Sequence, residues 1–182
     1  TRRNMASTRG HAPSEKDAVI GELARHVSLQ CSQRMSKSKT VFDSSVPVEL
    51  SLHAYLERFG KYLDFSPATY IGSLVLLDRI CHEMNIVVTM LNAHRLICTS
   101  LLLSMKMLED LPVTSTCFAK ISGVSRAELL RMEIFAFKAV RYSCHVSEEE
   151  IIKICSQMAA RTEDDAARYQ LNNLLRTLSE CR

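Results

Sequence analysis

Apolar residues recur at helical intervals along most of the chain, and punctuation residues divide them into segments. Between residues 15 and 34, Val19, Ile20, Leu23, Val27 and Leu29 approximate one stripe and predict an amphipathic helix. From Ser36 to Val46 the chain turns polar and runs into Pro47, which reads as a linker. Five helices are expected after it. The first covers about 47–63, with Leu52, Leu56, Phe59 and Leu63 on one stripe; the second opens at Ser66-Pro67, a capping serine with proline at the first helical position, and reaches about 84. The third runs from Asn92 to Asp110. It is apolar on nearly every side through ICTSLLLSM, so the others should wrap around it. A fourth, 114–121, stops at Gly123, and a fifth starts at the capping box Ser125/Glu128 and ends near Arg141. Two further capping boxes, Ser147/Glu150 and Thr162/Asp165, open helices over 148–161 and 163–180.

This pattern predicts an all-α protein in four parts. They are a disordered tail or expression remnant at 1–14, a helix and linker at 15–46, a five-helix unit at 47–146 and a helical extension at 147–182. Leu74 and Leu101 are expected in its core.

Composition narrows the function. With 182 residues, 47% hydrophobic and 24% charged, the chain can bury one sizeable core and is not intrinsically disordered. Five glycines and four prolines fit long helices rather than a turn-rich sandwich. A net charge of +3, with the basic residues scattered apart from small clusters at Arg2, Arg3 and Arg9 and at Arg34, Lys37 and Lys39, argues against a nucleic-acid binder. Seven cysteines without a C-x-x-C suggest neither a disulfide framework nor a zinc site and point to a reducing compartment, cytoplasm or nucleus. The longest apolar stretch, Leu96–Met105, is far shorter than a membrane span, and no signal peptide is expected.

No enzyme chemistry is legible. The glycines never form GxG, there is no GxSxG, and His82 beside Cys81 and His145 beside Cys144 point apart on a helix, so no metal, cofactor or small-molecule ligand is implied. The only Ser/Thr-Pro site, Ser66-Pro67, doubles as a helix cap, which argues against its phosphorylation. Charges on apolar faces carry more information. Glu133 has Leu129, Leu130, Ala136 and Phe137 at its i±3 and i±4 positions, so its own helix offers it no partner. Helix geometry alone favours an exposed edge glutamate there. Lys106, with Leu102 and Leu103 behind it and Glu109 and Asp110 ahead, fits a last-turn lysine at a helix C-terminus equally well. Asp78 and Arg79 interrupt SLVLLDRIC, as a structural ion pair would.

The succession VELSLHAYLERFGKYLDFSPATYIGSLVLLDRI, NAHRLICTSLLLSMKMLED, FAKISGVSRAELLRME and IFAFKAVRYSCHVS resembles a cyclin box, most of all that of the P/U-type cyclins of phosphate signalling. The resemblance covers about residues 47–148 and rests on LDRI after an apolar helix, N-x-HRL opening the central helix, the lysine that ends it, A-K-x-x-G, and E-L-x-x-x-E. It implies a non-catalytic subunit that binds and activates the catalytic subunit of a cyclin-dependent kinase. Lys106 and Glu133 then occupy the positions of the cyclin charged pair at the kinase interface, and Leu103, Met107, Phe137 and Cys144 are expected to line the groove receiving a kinase helix.

The chain departs from cell-cycle cyclins at the start of the box. Where those carry an arginine that pairs with the second-helix aspartate, gapless counting from Asp78 gives Glu49, so a substrate-docking patch is doubtful and a buried Asp78 needs another cation, for which Arg58 on the first helix of the box is the expected partner. A rival reading keeps the fold and drops the kinase: an adaptor for transcription machinery or other proteins.

Overall fold

A computed structural model describes residues 13–32 and 39–180 of the chain. Most of the expected tail, the end of the first predicted helix and the start of the linker lie outside the described residues. Eight helices are described: α1 (Glu15–Gln30), α2 (Leu52–Tyr62), α3 (Pro67–Glu83), α4 (Ala93–Leu108), α5 (Ser115–Ser122), α6 (Arg126–Ala139), α7 (Glu148–Arg161) and α8 (Asp165–Glu180). The only β pairing among the described residues is one isolated parallel bridge, Ser32 with Thr89. The protein is all-α.

Local chemistry sets most boundaries. Ser66, Ser125 and Ser147 cap α3, α6 and α7 through the backbone N–H three residues on, and Glu128 and Glu150 complete capping boxes. Gly123 ends α5 with φ of 74°, the left-handed conformation that glycine adopts without a Cβ penalty. Two expected starts move. α2 begins at Leu52 rather than 47, capped by Ser51, because the preceding strap is pinned elsewhere: Ser44 N–H donates to the Leu91 carbonyl at 2.9 Å, and the His94 ring meets the Leu50 carbonyl at 2.7 Å. α8 is capped by Asp164, whose side chain accepts from Ala166 N–H at 2.9 Å, while Thr162 terminates α7.

α4 is the hub. Leu96, Ile97, Cys98, Leu101, Leu102 and Met105 are fully buried, and α3 lies along it. Gly72 permits that approach, since a Cβ there would sit 2.7 Å from Ser104 Oγ. Ser104 Oγ in turn donates to the Thr69 carbonyl at 2.8 Å. α1 buries Val19, Ile20, Leu23 and Val27 against α2, α3 and α8, so this helix packs on the box. α7 and α8 pair with each other and close over α1 and α3.

The expected pairing of Asp78 with Arg58 is not formed. Asp78 is exposed, and its Oδ1 accepts a hydrogen bond from Gln30 at 3.4 Å; Arg58 donates to the Lys120 carbonyl at 3.4 Å. α3 turns Asp78 out of the core, so no buried charge demands a cation. Its neighbour Arg79 makes the structural contact instead, bridging to Glu150 of α7 at 2.5 Å and to the His145 carbonyl at 2.7 Å.

Candidate functional site

The site is built where α4 ends and α6 crosses it. α4 is buried throughout except at Arg95 and in its last turn, so the exposed polar groups at its C-terminus start with Lys106. Lys106 Nζ donates directly to Glu133 Oε1. The Glu133 side chain is 15% exposed and that of Lys106 37%, so the pair sits at the boundary between core and solvent. The cation that Glu133 lacks on its own helix comes from α4. A second contact, Arg95 with Glu128 at 3.1 Å, ties the beginnings of the same two helices and fixes their crossing. The Glu128 carboxyl is held below its ordinary range, mainly by hydrogen bonds from the Ser125 side chain and backbone, with Arg95 adding to them.

α6 is an edge helix: it buries only Leu129, Met132 and Ala136. Leu130, Ile134 and Phe137, spaced by four and three residues, form an outward flank adjoining Glu133, about 60° wide at ~100° per residue. They are 53%, 44% and 37% exposed. The flank continues onto Tyr142, whose ring meets Phe137 edge-on at 5.2 Å between centroids, and Met107, 50% exposed, follows Lys106 in the chain. A charged pair bordered by contiguous apolar surface can grip a helix by its backbone and its apolar side chains together.

Of the expected groove residues, Met107 and Phe137 are at the surface and Leu103 and Cys144 are not. Leu103 is buried because α4 is apolar all round up to its last turn. Cys144 is turned inward behind two consecutive left-handed residues, Arg141 and Tyr142, at φ of 53° and 62°. Burial pushes its thiol above the ordinary range; Glu133 adds to the shift and Arg79 opposes it. Both residues are interior rather than part of the exposed face. Leu130, Ile134 and Tyr142 belong to the surface and were missed. The available signal was an α6 segment with apolar residues around its whole circumference, more than one buried side can absorb.

A model of the cyclin family matches residues 4–144 of the chain. Among curated proteins, the chain is similar to Cyclin-P2-1 of Oryza sativa subsp. japonica, 31% identical over 140 residues that cover 77% of this chain and 64% of that protein. It is also similar to Cyclin-U3-1 of Arabidopsis thaliana, 30% identical over 127 residues (70% of this chain, 58% of the relative), and to Cyclin-U4-1 of the same plant, 34% identical over 121 residues (66% and 57%). The aligned part thus spans somewhat under two thirds of each of these relatives. With the family match extending over most of its length and relatives that are P- and U-type cyclins, the chain belongs to the cyclin family.

Proposed function

We propose that this chain is a non-catalytic regulatory subunit that binds and activates a cyclin-dependent serine/threonine protein kinase. The observation that carries this reading is the Lys106–Glu133 pair set at the edge of the exposed apolar flank Leu130, Ile134 and Phe137. The pair would hydrogen-bond kinase backbone while the flank and Met107 receive the apolar face of the kinase's mobile helix. Held inward, that helix brings its glutamate to the catalytic lysine, and the activation loop becomes competent for substrate. The subunit forms and breaks no covalent bond. It shifts a population, which requires its face to bind the active kinase conformation more tightly than the inactive one. The working compartment under this reading is the cytoplasm or nucleus, where cysteines remain reduced.

The test is affinity capture from the source cells, comparing wild type with the charge exchange Lys106→Glu/Glu133→Lys. The exchange keeps the two side chains attractive to each other and reverses what each presents to a partner. A protein kinase retained by wild type and lost by the exchanged variant, with its melting temperature unchanged, supports the reading. Leu130→Asp, on the exposed flank, should give the same loss. A kinase captured equally by all three would overturn the assignment of this face, and transcription proteins captured without a kinase would favour the adaptor reading instead.

A further inference from the structure

We infer that Glu109 is a positioning residue for the kinase-facing pair: from the C-terminal cap of α4 it completes the N-terminal cap of α3, and so clamps the turn that presents Lys106 and Met107. The role in docking rests on the reading proposed above; the clamp itself does not.

α1, α6 and α7 each begin with a capping box drawn from adjacent residues, in which the third helical residue is an acid that accepts from the backbone N–H of the capping serine. α3 departs from this arrangement. Its third residue is Thr69, its first turn holds no acid, and the carboxylate that accepts from the Ser66 N–H at 2.8 Å belongs to Glu109, 43 residues further along the chain. The same Oε1 accepts from the Ser66 hydroxyl at 3.0 Å and from the Thr69 hydroxyl at 2.6 Å. A carboxylate at a helix N-terminus is favoured by the helix dipole. An acid at position 69 would satisfy the Ser66 N–H locally; drawing it from Glu109 joins the start of α3 to the end of α4.

Lys106 lies inside this joint. Before it, Ser104 Oγ donates to the Thr69 carbonyl at 2.8 Å; after it, Glu109 holds Ser66 and Thr69. The last turn of α4 is therefore tied to one short segment of α3 on both sides of Lys106 and Met107. Without the second tie that turn frays more readily, because the last carbonyls of a helix have no intrahelical partner. Lys106 would then reach Glu133 from a range of positions and would have to be ordered during docking.

Four substitutions separate this role from a general loss of stability. Glu109→Ala removes the carboxylate. Ser66→Asp keeps a good helix cap but sets a second carboxylate against Glu109, Ser66→Asn caps α3 equally well without the charge, and Glu109→Gln retains an acceptor oxygen. In the isolated isotope-labelled chain, hydrogen exchange at the Leu108 and Glu109 amides should quicken about three- to tenfold in Glu109→Ala and Ser66→Asp, the range that one partly exposed charge-assisted hydrogen bond supports. The kinase captured by wild type should bind the same two variants more weakly by a similar factor, and should bind Ser66→Asn and Glu109→Gln like wild type. Asp164→Ala removes the cap of α8, a helix that packs on α1 and α7, and should lower the melting temperature with capture intact. Unchanged exchange in Glu109→Ala overturns the clamp. Quickened exchange with undiminished capture, equal losses of capture in Ser66→Asp and Ser66→Asn, or a matching loss in Asp164→Ala overturns the positioning role alone. If wild type captures no kinase, or no more than the charge-swapped Lys106→Glu/Glu133→Lys variant does, the docking face itself is overturned and the role in docking falls with it.

Discussion

Gly72 marks the closest approach of α3 to α4, and replacing it with alanine sets two effects against each other. Alanine is favoured over glycine in a helix interior by about 1 kcal/mol. The added Cβ, however, would lie 2.7 Å from Ser104 Oγ and 2.9 Å from Leu108 Cδ1. The leucine methyl is the end of a flexible side chain and can swing away. Ser104 is less free, because its hydroxyl donates to the Thr69 carbonyl at 2.8 Å in a fully buried site. Relieving the clash either breaks that bond, at about 0.5–1.5 kcal/mol, or separates the helices, with an overpacking penalty of about 1–3 kcal/mol. The clash outweighs the propensity gain, and Gly72→Ala should destabilise the protein by about 1–3 kcal/mol. At roughly 2–4 °C per kcal/mol for a chain of this size, the melting temperature should fall by several degrees. Removing the obstructing atom supplies the control. Gly72→Ala/Ser104→Ala should be less destabilised than the sum of the single variants by about 1 kcal/mol or more, read from urea unfolding as a double-mutant cycle. An unchanged or raised melting temperature in Gly72→Ala, or strict additivity, would show that the two helices do not meet as closely as described.

Leu101 and Leu74, 0% and 1% exposed on the two central helices, should each destabilise the fold by ~2–5 kcal/mol when replaced by alanine, measured as a lower urea midpoint with an unchanged slope. His94 provides a pH test. It is 4% exposed, its Nε2 meets the Leu50 carbonyl and its Nδ1 has no partner, so the neutral ring fits the site and a proton on Nδ1 does not. Burial accordingly lowers its pKa below the ordinary 6.5, although the Leu50 hydrogen bond opposes the shift. Below about pH 6.5 the unfolded chain then binds the proton better, so this contribution to stability is complete above that pH and declines as the pH falls toward the folded value. The urea midpoint should drop between pH 7 and 5.5 and drop less in His94→Asn; equal slopes would refute the assignment.

What the sequence disclosed was mostly local. Ser66-Pro67, Ser125/Glu128, Ser147/Glu150 and Gly123 placed helix ends to within a residue or two, because a cap is an interaction among neighbours in the chain. The all-round apolar α4 segment marked the hub for the same reason. Errors arose where a distant partner decides. The strap before α2 is extended because Leu91 and His94 hold it, and nothing near Pro47 encodes that. Asp78 was assigned a cation on the assumption that it is buried, but it faces solvent, and Arg79 beside it makes the interhelical bridge. At the candidate site, spacing alone left Glu133 without a partner; the cyclin resemblance singled out Lys106, and the fold brings the two side chains into contact. Leu130 and Ile134 escaped notice because an apolar residue on a helix is ordinarily read as core, and only the packed structure shows which side α4 leaves uncovered.

The contact between Lys106 and Glu133 raises the question of how a pair already joined can engage another chain. Hydrogen-bonding capacity answers it. An ammonium has three donors and a carboxylate about four acceptor sites, and the Nζ–Oε1 contact occupies one of each. Two donors on Lys106 and most of the acceptor sites on Glu133 remain for backbone carbonyls and N–H groups of a partner, so docking does not have to break the pair. Partial burial makes the arrangement useful in the free chain as well. With Leu129, Leu130, Ala136 and Phe137 around it, a lone Glu133 would be poorly solvated, and its contact with Lys106 holds it oriented at the edge of the apolar flank. Side chains held before docking need not be ordered during it, which lowers the entropic cost of association. The same ion pair thus stabilises the end of α4 against α6 and presents a preformed polar anchor beside Leu130, Ile134 and Phe137, whose exposure has no role in the isolated fold.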